Sequence, residues 1–207
     1  LYGGMSTGSS KLDLSILLFL YLTDGFVGRQ TLAEEFELGE GKIKTHLKGL
    51  KEKGYITQLR AGSQLTEKGS MFINGILEAL GVERLGSMDG RELGSQTVVY
   101  VLLRKESVPS KIVKMRDQAV KEGADGAIIG IFSGDTFKLP PGNEDLCMYA
   151  PLFCTEIKPK IIGEPPRLTL LAVFGDKKGK TIEGLVAILL SEYSPWRATL
   201  LGLLELL

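Results

Sequence analysis

Apolar positions in the first eighty residues recur at helical spacing three times, then alternate, then return to helical spacing. Asp13–Leu22 carries Leu14, Leu17, Leu18 and Tyr21 on one side, with Ser10 available as an N-cap, and Asp24-Gly25 breaks the pattern. Arg29–Phe36 places Leu32, Ala33 and Phe36 inward and Glu34 and Glu35 outward. After the turn Gly39-Glu40-Gly41, a third helix from Gly41 to Lys53 ends at Gly54, a residue suited to stop a helix. Tyr55–Leu59 alternates like a strand, Arg60–Ser63 is a polar turn, and Gln64–Thr66 returns as a second short strand. Thr66 then caps a fourth helix, Glu67 to Leu80, with Phe72, Ile73, Ile76 and Leu77 on one face.

The pattern loosens over residues 81–96, where glycines stand at 81, 86, 90 and 94, and the expectation there is a linker. Beyond it, Thr97–Leu103 and Gly126–Phe132 read as buried strands, and between them lies a helix capped by Ser110 and ending near Glu122. Leu139-Pro140-Pro141-Gly142 marks a loop, Leu152–Ile157 and Arg167–Phe174 read as strands, and Thr181–Ser191 as a helix. The apolar stretch Trp196–Leu207 suits a helix or a strand. The expected class is α+β: a helical domain with a hairpin at 11–80, a linker at 81–96, and an α/β or α+β sandwich at 97–207.

Composition excludes more than it suggests. Over 207 residues the net charge is zero, so any basic surface must be local. One His and two Cys cannot build a four-ligand zinc site, and no other metal or cofactor is expected. Cys147 and Cys154 are expected as buried free thiols, since pairing would need the fold to bring them together. No apolar run approaches the roughly 20 residues of a membrane span. The expected compartment is the cytoplasm.

Local charge does stand out on the third helix and the turn after it. From Lys42 to Arg60 there are six Lys/Arg (42, 44, 48, 51, 53 and 60) against one acid, Glu52. Ile43, Leu47 and Leu50 form the apolar stripe, so Lys44, Thr45 and Lys48 fall opposite, with Lys42 and Lys51 on the flanks. Such a face neutralises phosphates, and Arg60 at the turn is placed for a backbone or minor-groove contact. On charge alone Lys42, Lys44, Thr45, Lys48, Lys51 and Arg60 read either as a solvated face or as candidate DNA contacts. His46, at the edge of the apolar stripe, is expected to pack beside the core or touch a phosphate, with no catalytic role.

These elements, and their residues, resemble archaeal and bacterial winged-helix regulators. Gln30–Phe36 followed by Gly41–Leu50 looks like their second and recognition helices, Leu50–Ile56 like the exit into the wing, and Leu65–Gly69 like the wing-to-helix junction. Met115–Ala127 is similar to part of the C-terminal domain of a group of archaeal two-domain proteins, in which that domain has no known function. The resemblance implies a winged helix-turn-helix that reads double-stranded DNA, followed by a domain of unassigned role.

No enzymatic constellation emerges beside it. Gly175–Thr181 lies between strand and helix like a phosphate loop, but only three residues separate its glycines where four are required. Asp117, Asp125, Asp135, Glu144 and Asp145 are scattered, with no partner histidine, and Asp125-Gly126 and Gly134-Asp135 suit turns. The leading expectation is a DNA-binding transcription regulator whose second domain dimerises, senses a small-molecule effector, or both. The alternatives are an enzyme in the C-terminal domain with a regulatory or protein-docking winged helix, and an RNA-binding module. The segment Ala198–Leu207 could form a homodimer interface or complete the core.

Overall fold

The computed structural model describes residues 7–104, 111–133, 135–158 and 167–207, an α+β fold with helices first and a six-stranded sheet after them. The first half runs α1 (Thr7–Tyr21), α2 (Arg29–Phe36), α3 (Glu40–Glu52), β1 (Ile56–Leu59), β2 (Gly62–Leu65) and α4 (Glu67–Ala79). β1 and β2 pair antiparallel around the two-residue turn Arg60-Ala61, with Leu59 opposite Gly62. Thr66 opens α4 as expected: its hydroxyl oxygen accepts from the Gly69 N–H at 3.1 Å and its hydroxyl donates to Gly54 O at 2.7 Å. A side chain at Gly69 would bring a Cβ within 2.1 Å of the Tyr55 carbonyl oxygen, so the strand-to-helix corner requires glycine.

Residues 81–96 are not a linker. β3 (Val82–Asp89) is an edge strand paired antiparallel with β4 (Thr97–Leu103), and a single 3-10 turn at Arg91–Leu93 joins them. The glycines that suggested loose chain each serve the hairpin or its flanks. Gly81 and Gly94 sit at φ +73° and +79°, in the left-handed region. Gly86 faces Tyr100, whose phenol oxygen would be 2.6 Å from a Cβ there. The glycines thus sit at bends and under a ring, while Val82, Leu85 and Met88 between them are half-buried in the strand.

The sheet order is β3-β4-β8-β5-β6-β7, with every neighbouring pair antiparallel. It adds β5 (Gly126–Ser133), β6 (Thr136–Leu139), β7 (Glu144–Asp145) and β8 (Leu168–Gly175). One face carries Val99, Val101, Leu103, Ile129, Leu171 and Val173 beneath α5 (Ile112–Lys121) and α7 (Lys178–Leu190). The opposite face buries Val98, Tyr100, Leu102, Leu170 and Ala172 against Phe153, Cys154 and Ile157. The expected cap of α5, Ser110, lies outside the described residues, as does Gly134 of the expected Gly134-Asp135 turn.

Two further expectations are corrected on that second face. Residues 152–157 form a helix, α6 (Pro151–Ile157), and not a strand. Proline suits the first helical position, and the Glu92 carboxylate accepts the N–H groups of Leu152 (3.1 Å) and Phe153 (2.7 Å). Cys147 and Cys154, expected as free thiols, form a disulfide. The 3-10 turn at Leu146–Met148 doubles the chain back into α6, which brings the two Cα atoms to 5.5 Å despite a separation of seven residues.

The two halves share a core. α1 is buried nearly all round: Leu12, Leu14, Ile16, Leu17, Leu18, Phe19 and Leu20 are each no more than 6% exposed. A helix apolar on every side needs partners on every side. α3, α4 and β2 supply one flank, and α7 and α8 (Arg197–Leu204) the other. The ambiguous C-terminal segment is thus a helix, with Leu200, Leu204 and Leu207 buried in this shared core and Leu206 exposed.

Candidate nucleic-acid interface

α3 segregates its residues sharply. Ile43, Leu47 and Leu50 are at most 1% exposed, while Lys42, Lys44, Thr45, Lys48 and Lys51 all reach solvent. Arg29 pairs with Glu40 at 2.8 Å, bracing α2 against the first turn of α3. The Thr45 hydroxyl donates to Gly41 O at 3.1 Å, so its oxygen keeps acceptor capacity at the surface. Lys48 lies 3.8 Å from Glu52, and both side chains are more than two-thirds or about two-thirds exposed. Such a pair is worth little and leaves the ammonium available to a stronger anion.

The hairpin tip is fixed relative to α3. Val27, in the segment between α1 and α2, exchanges two backbone hydrogen bonds with Ser63, at 2.9 and 2.8 Å. Gly62 makes this approach possible: a Cβ there would meet the Val27 carbonyl oxygen at 2.3 Å. Arg60 is exposed on the turn so held, beside Leu59, which is 61% exposed. The six residues proposed from the sequence therefore all lie at the surface, five on one helix and one on the hairpin that follows it.

His46 has a partner that sequence reasoning missed. Its Nδ1 lies 2.7 Å from Asp13 Oδ1, with both side chains largely buried, and this contact ties α3 to α1. A separation of 33 residues gave no local signal for it. Packing beside the core, one of the two roles expected for His46, fits this contact.

The segment that imitates a phosphate loop is occupied by the protein itself. Lys177 Nζ donates to Glu34 O at 3.0 Å and lies 3.4 Å from the Glu37 carboxylate. Lys178 Nζ donates to Leu22 O at 2.5 Å and to Thr23 Oγ1 at 3.0 Å, and burial pushes its pKa below the ordinary lysine value. The Gly179 N–H, where a phosphate oxygen would sit, donates to Glu35 Oε2 at 3.0 Å. A Cβ at Gly179 would stand 2.6 Å from Glu35 O. The basic turn feeding α7 is a clamp on α1 and α2.

Two of the acidic residues named from the sequence, Asp125 and Asp145, satisfy donors of the same chain. Asp125 accepts from the Ser95 hydroxyl at 2.6 Å, and Asp145 accepts the Cys147 N–H at 2.9 Å. Among the described residues no three His, Cys, Asp or Glu side chains are grouped as a metal ion would require. No described helix is long and apolar enough to cross a membrane.

Similarity to known proteins follows the same division of the chain. Residues 13–71 match the family model of the PH0730-like N-terminal domain, and residues 93–192 match a domain of unknown function (DUF4443). The two matches thus fall one on each half of the chain. Among similar solved structures is the hypothetical protein PH0730 from Pyrococcus horikoshii OT3, 20% identical, with a TM-score of 0.65. That match covers 92% of this chain and 97% of the other, and the likeness is one of fold. No curated protein matches the chain.

Proposed function

We propose that α1–α4 and the β1–β2 hairpin act as a winged helix-turn-helix, that α3 binds duplex DNA, and that the chain is a cytoplasmic transcription regulator. The observation that carries this reading is the two-sided character of α3. Its apolar stripe is wholly buried, while Lys42, Lys44, Thr45, Lys48 and Lys51 stand on the exposed side and Arg60 tips the adjoining hairpin. In this reading the lysines anchor phosphates, which set register and affinity, and Lys44, Thr45 and Lys48 contact base edges. The absence of arginine from α3 makes DNA shape a larger part of recognition.

The same reading gives the C-terminal domain no catalytic role and assigns it dimerisation, effector sensing, or both. Dimerisation would use a surface other than the buried face of α8, because Leu200, Leu204 and Leu207 are already packed. Size-exclusion chromatography with light scattering tests this, and a strict monomer at micromolar concentration would sink the dimer.

The DNA reading is tested by fluorescence anisotropy on a generic duplex across a salt series. Wild type is expected to bind at about 50 mM salt with log K falling linearly in log salt. Lys44→Glu/Lys48→Glu is expected to weaken binding by about a hundredfold or more and to flatten the slope by roughly two phosphate contacts. Equal binding by both proteins, or none by wild type at low salt, would remove α3 from that role.

A further inference from the structure

Among the described residues, a cavity of about 450 Å3 lies where α1 and α3 meet α5 and α7. Its polar lining is Lys11, Lys42, His46, Glu122 and Glu183, and Leu12 and Leu38 supply apolar wall. The volume falls within the range of small-molecule sites. Its formal charges cancel, with two ammonium groups and two carboxylates. A lining of that kind repels neither charge but rewards a ligand that carries both.

The charges differ in how fully they are used. Lys11 pairs with Glu122, and Lys180 pairs with Glu183 at 2.7 Å. Each carboxylate has room for about four hydrogen bonds, so one lysine leaves acceptor capacity for an incoming ammonium. Glu183 is only 8% exposed, and burial raises its pKa, so a further cation at its carboxylate would offset a desolvation cost. Lys42, in contrast, is exposed and has no ion-pair partner among the described residues.

We propose that this cavity binds a free α-amino acid with a short apolar side chain. Its ammonium sits between Glu122 and Glu183, its carboxylate on Lys42, and its side chain against Leu12 and Leu38, with His46 as part of the wall. The consequence for DNA, though not the binding itself, rests on the reading of α3 given above. Neutralising Lys42 removes one phosphate anchor, so the amino acid weakens DNA binding, and by linkage DNA weakens amino-acid binding equally.

Isothermal titration calorimetry on the full chain tests the site without DNA, using single L-amino acids beside the matched carboxylic acid and the matched amine. At least one amino acid is expected to bind about tenfold more tightly than either half-molecule. Lys42→Ala and Glu183→Gln are each expected to weaken it about tenfold or more. Lys42 is a surface residue, so its variant stays readable if Glu183→Gln fails to fold. No binding by any amino acid, equal binding by the acid or amine alone, or full affinity in folded variants would overturn the proposal. In the anisotropy assay, saturating ligand is expected to raise the DNA Kd on the order of fivefold, and an unmoved Kd would overturn the placement on Lys42. A chain that fails to bind DNA but still takes up the amino acid would overturn the reading of α3 and leave this site standing.

Discussion

Two lysine-rich helix beginnings in this protein have opposite uses. The first turns of α3 carry Lys42, Lys44 and Lys48, and those of α7 follow Lys177 with Lys178 and Lys180. At α3 the lysines point to solvent, because Ile43, Leu47 and Leu50 turn the other side to the core. At α7 the whole helix is interior, and the lysines reach the carbonyls of Leu22 and Glu34 and the carboxylates of Glu37 and Glu183. Composition alone cannot separate the two. What separates them is whether backbone acceptors and carboxylates of the same chain come within reach, and the packing of α1 and α2 on α7 decides that.

The sharpest way to break the comparison is to push the clamp apart. Gly179→Val places new atoms against the Glu35 carbonyl, where even a Cβ would stand at 2.6 Å. A loss of about 2–3 kcal/mol is expected in urea unfolding, and wild-type stability would show that α2 and α7 are not held this closely. Removing one inward lysine is the next effect in size. Lys178→Met forfeits the hydrogen bonds to Leu22 O and Thr23 Oγ1 but also relieves a partly buried charge, so the expected loss is about 1–2 kcal/mol. Its DNA affinity in the salt series should match wild type, and a parallel drop in both would erase the distinction between the two helices. The smallest effect is expected at α3 itself. Lys44→Ala/Lys48→Ala should stay within about 0.5 kcal/mol of wild type in the same unfolding assay, because both side chains are exposed. A large destabilisation there would mean that these lysines serve the fold.

Periodicity was enough to find α2, α3, the hairpin and α4, because each is an amphipathic element whose inward residues are neighbours in sequence. It also makes the exposure of Lys44, Thr45 and Lys48 legible, since the positions opposite Ile43 and Leu47 follow from helix geometry. What escaped depends on residues far apart in the chain. His46 finds Asp13, Gly179 finds Glu35, and Glu92 caps α6 from a turn sixty residues earlier. β3 is hidden for a different reason: glycine density argues against regular structure, whereas Gly86 makes room for Tyr100 inside a strand. One clue was in plain view. Ile16, Phe19 and Leu20 lie off the stripe assigned to α1, and an all-round apolar helix asks for a second neighbour, which α7 provides.

The placement of β8 carries a consequence for the birth of the molecule. This strand occupies the middle of the sheet, between β4 and β5, yet it is encoded after both. While the chain leaves the ribosome, those two strands wait with a gap between them until Leu168–Gly175 emerges. Until α7 follows, α1 keeps one apolar flank uncovered. Neither half can finish its interior ahead of the other. Before β8 and α7 emerge, the nascent polypeptide therefore exposes a greasy, unfinished surface, a natural handhold for a chaperone and a hazard in its absence.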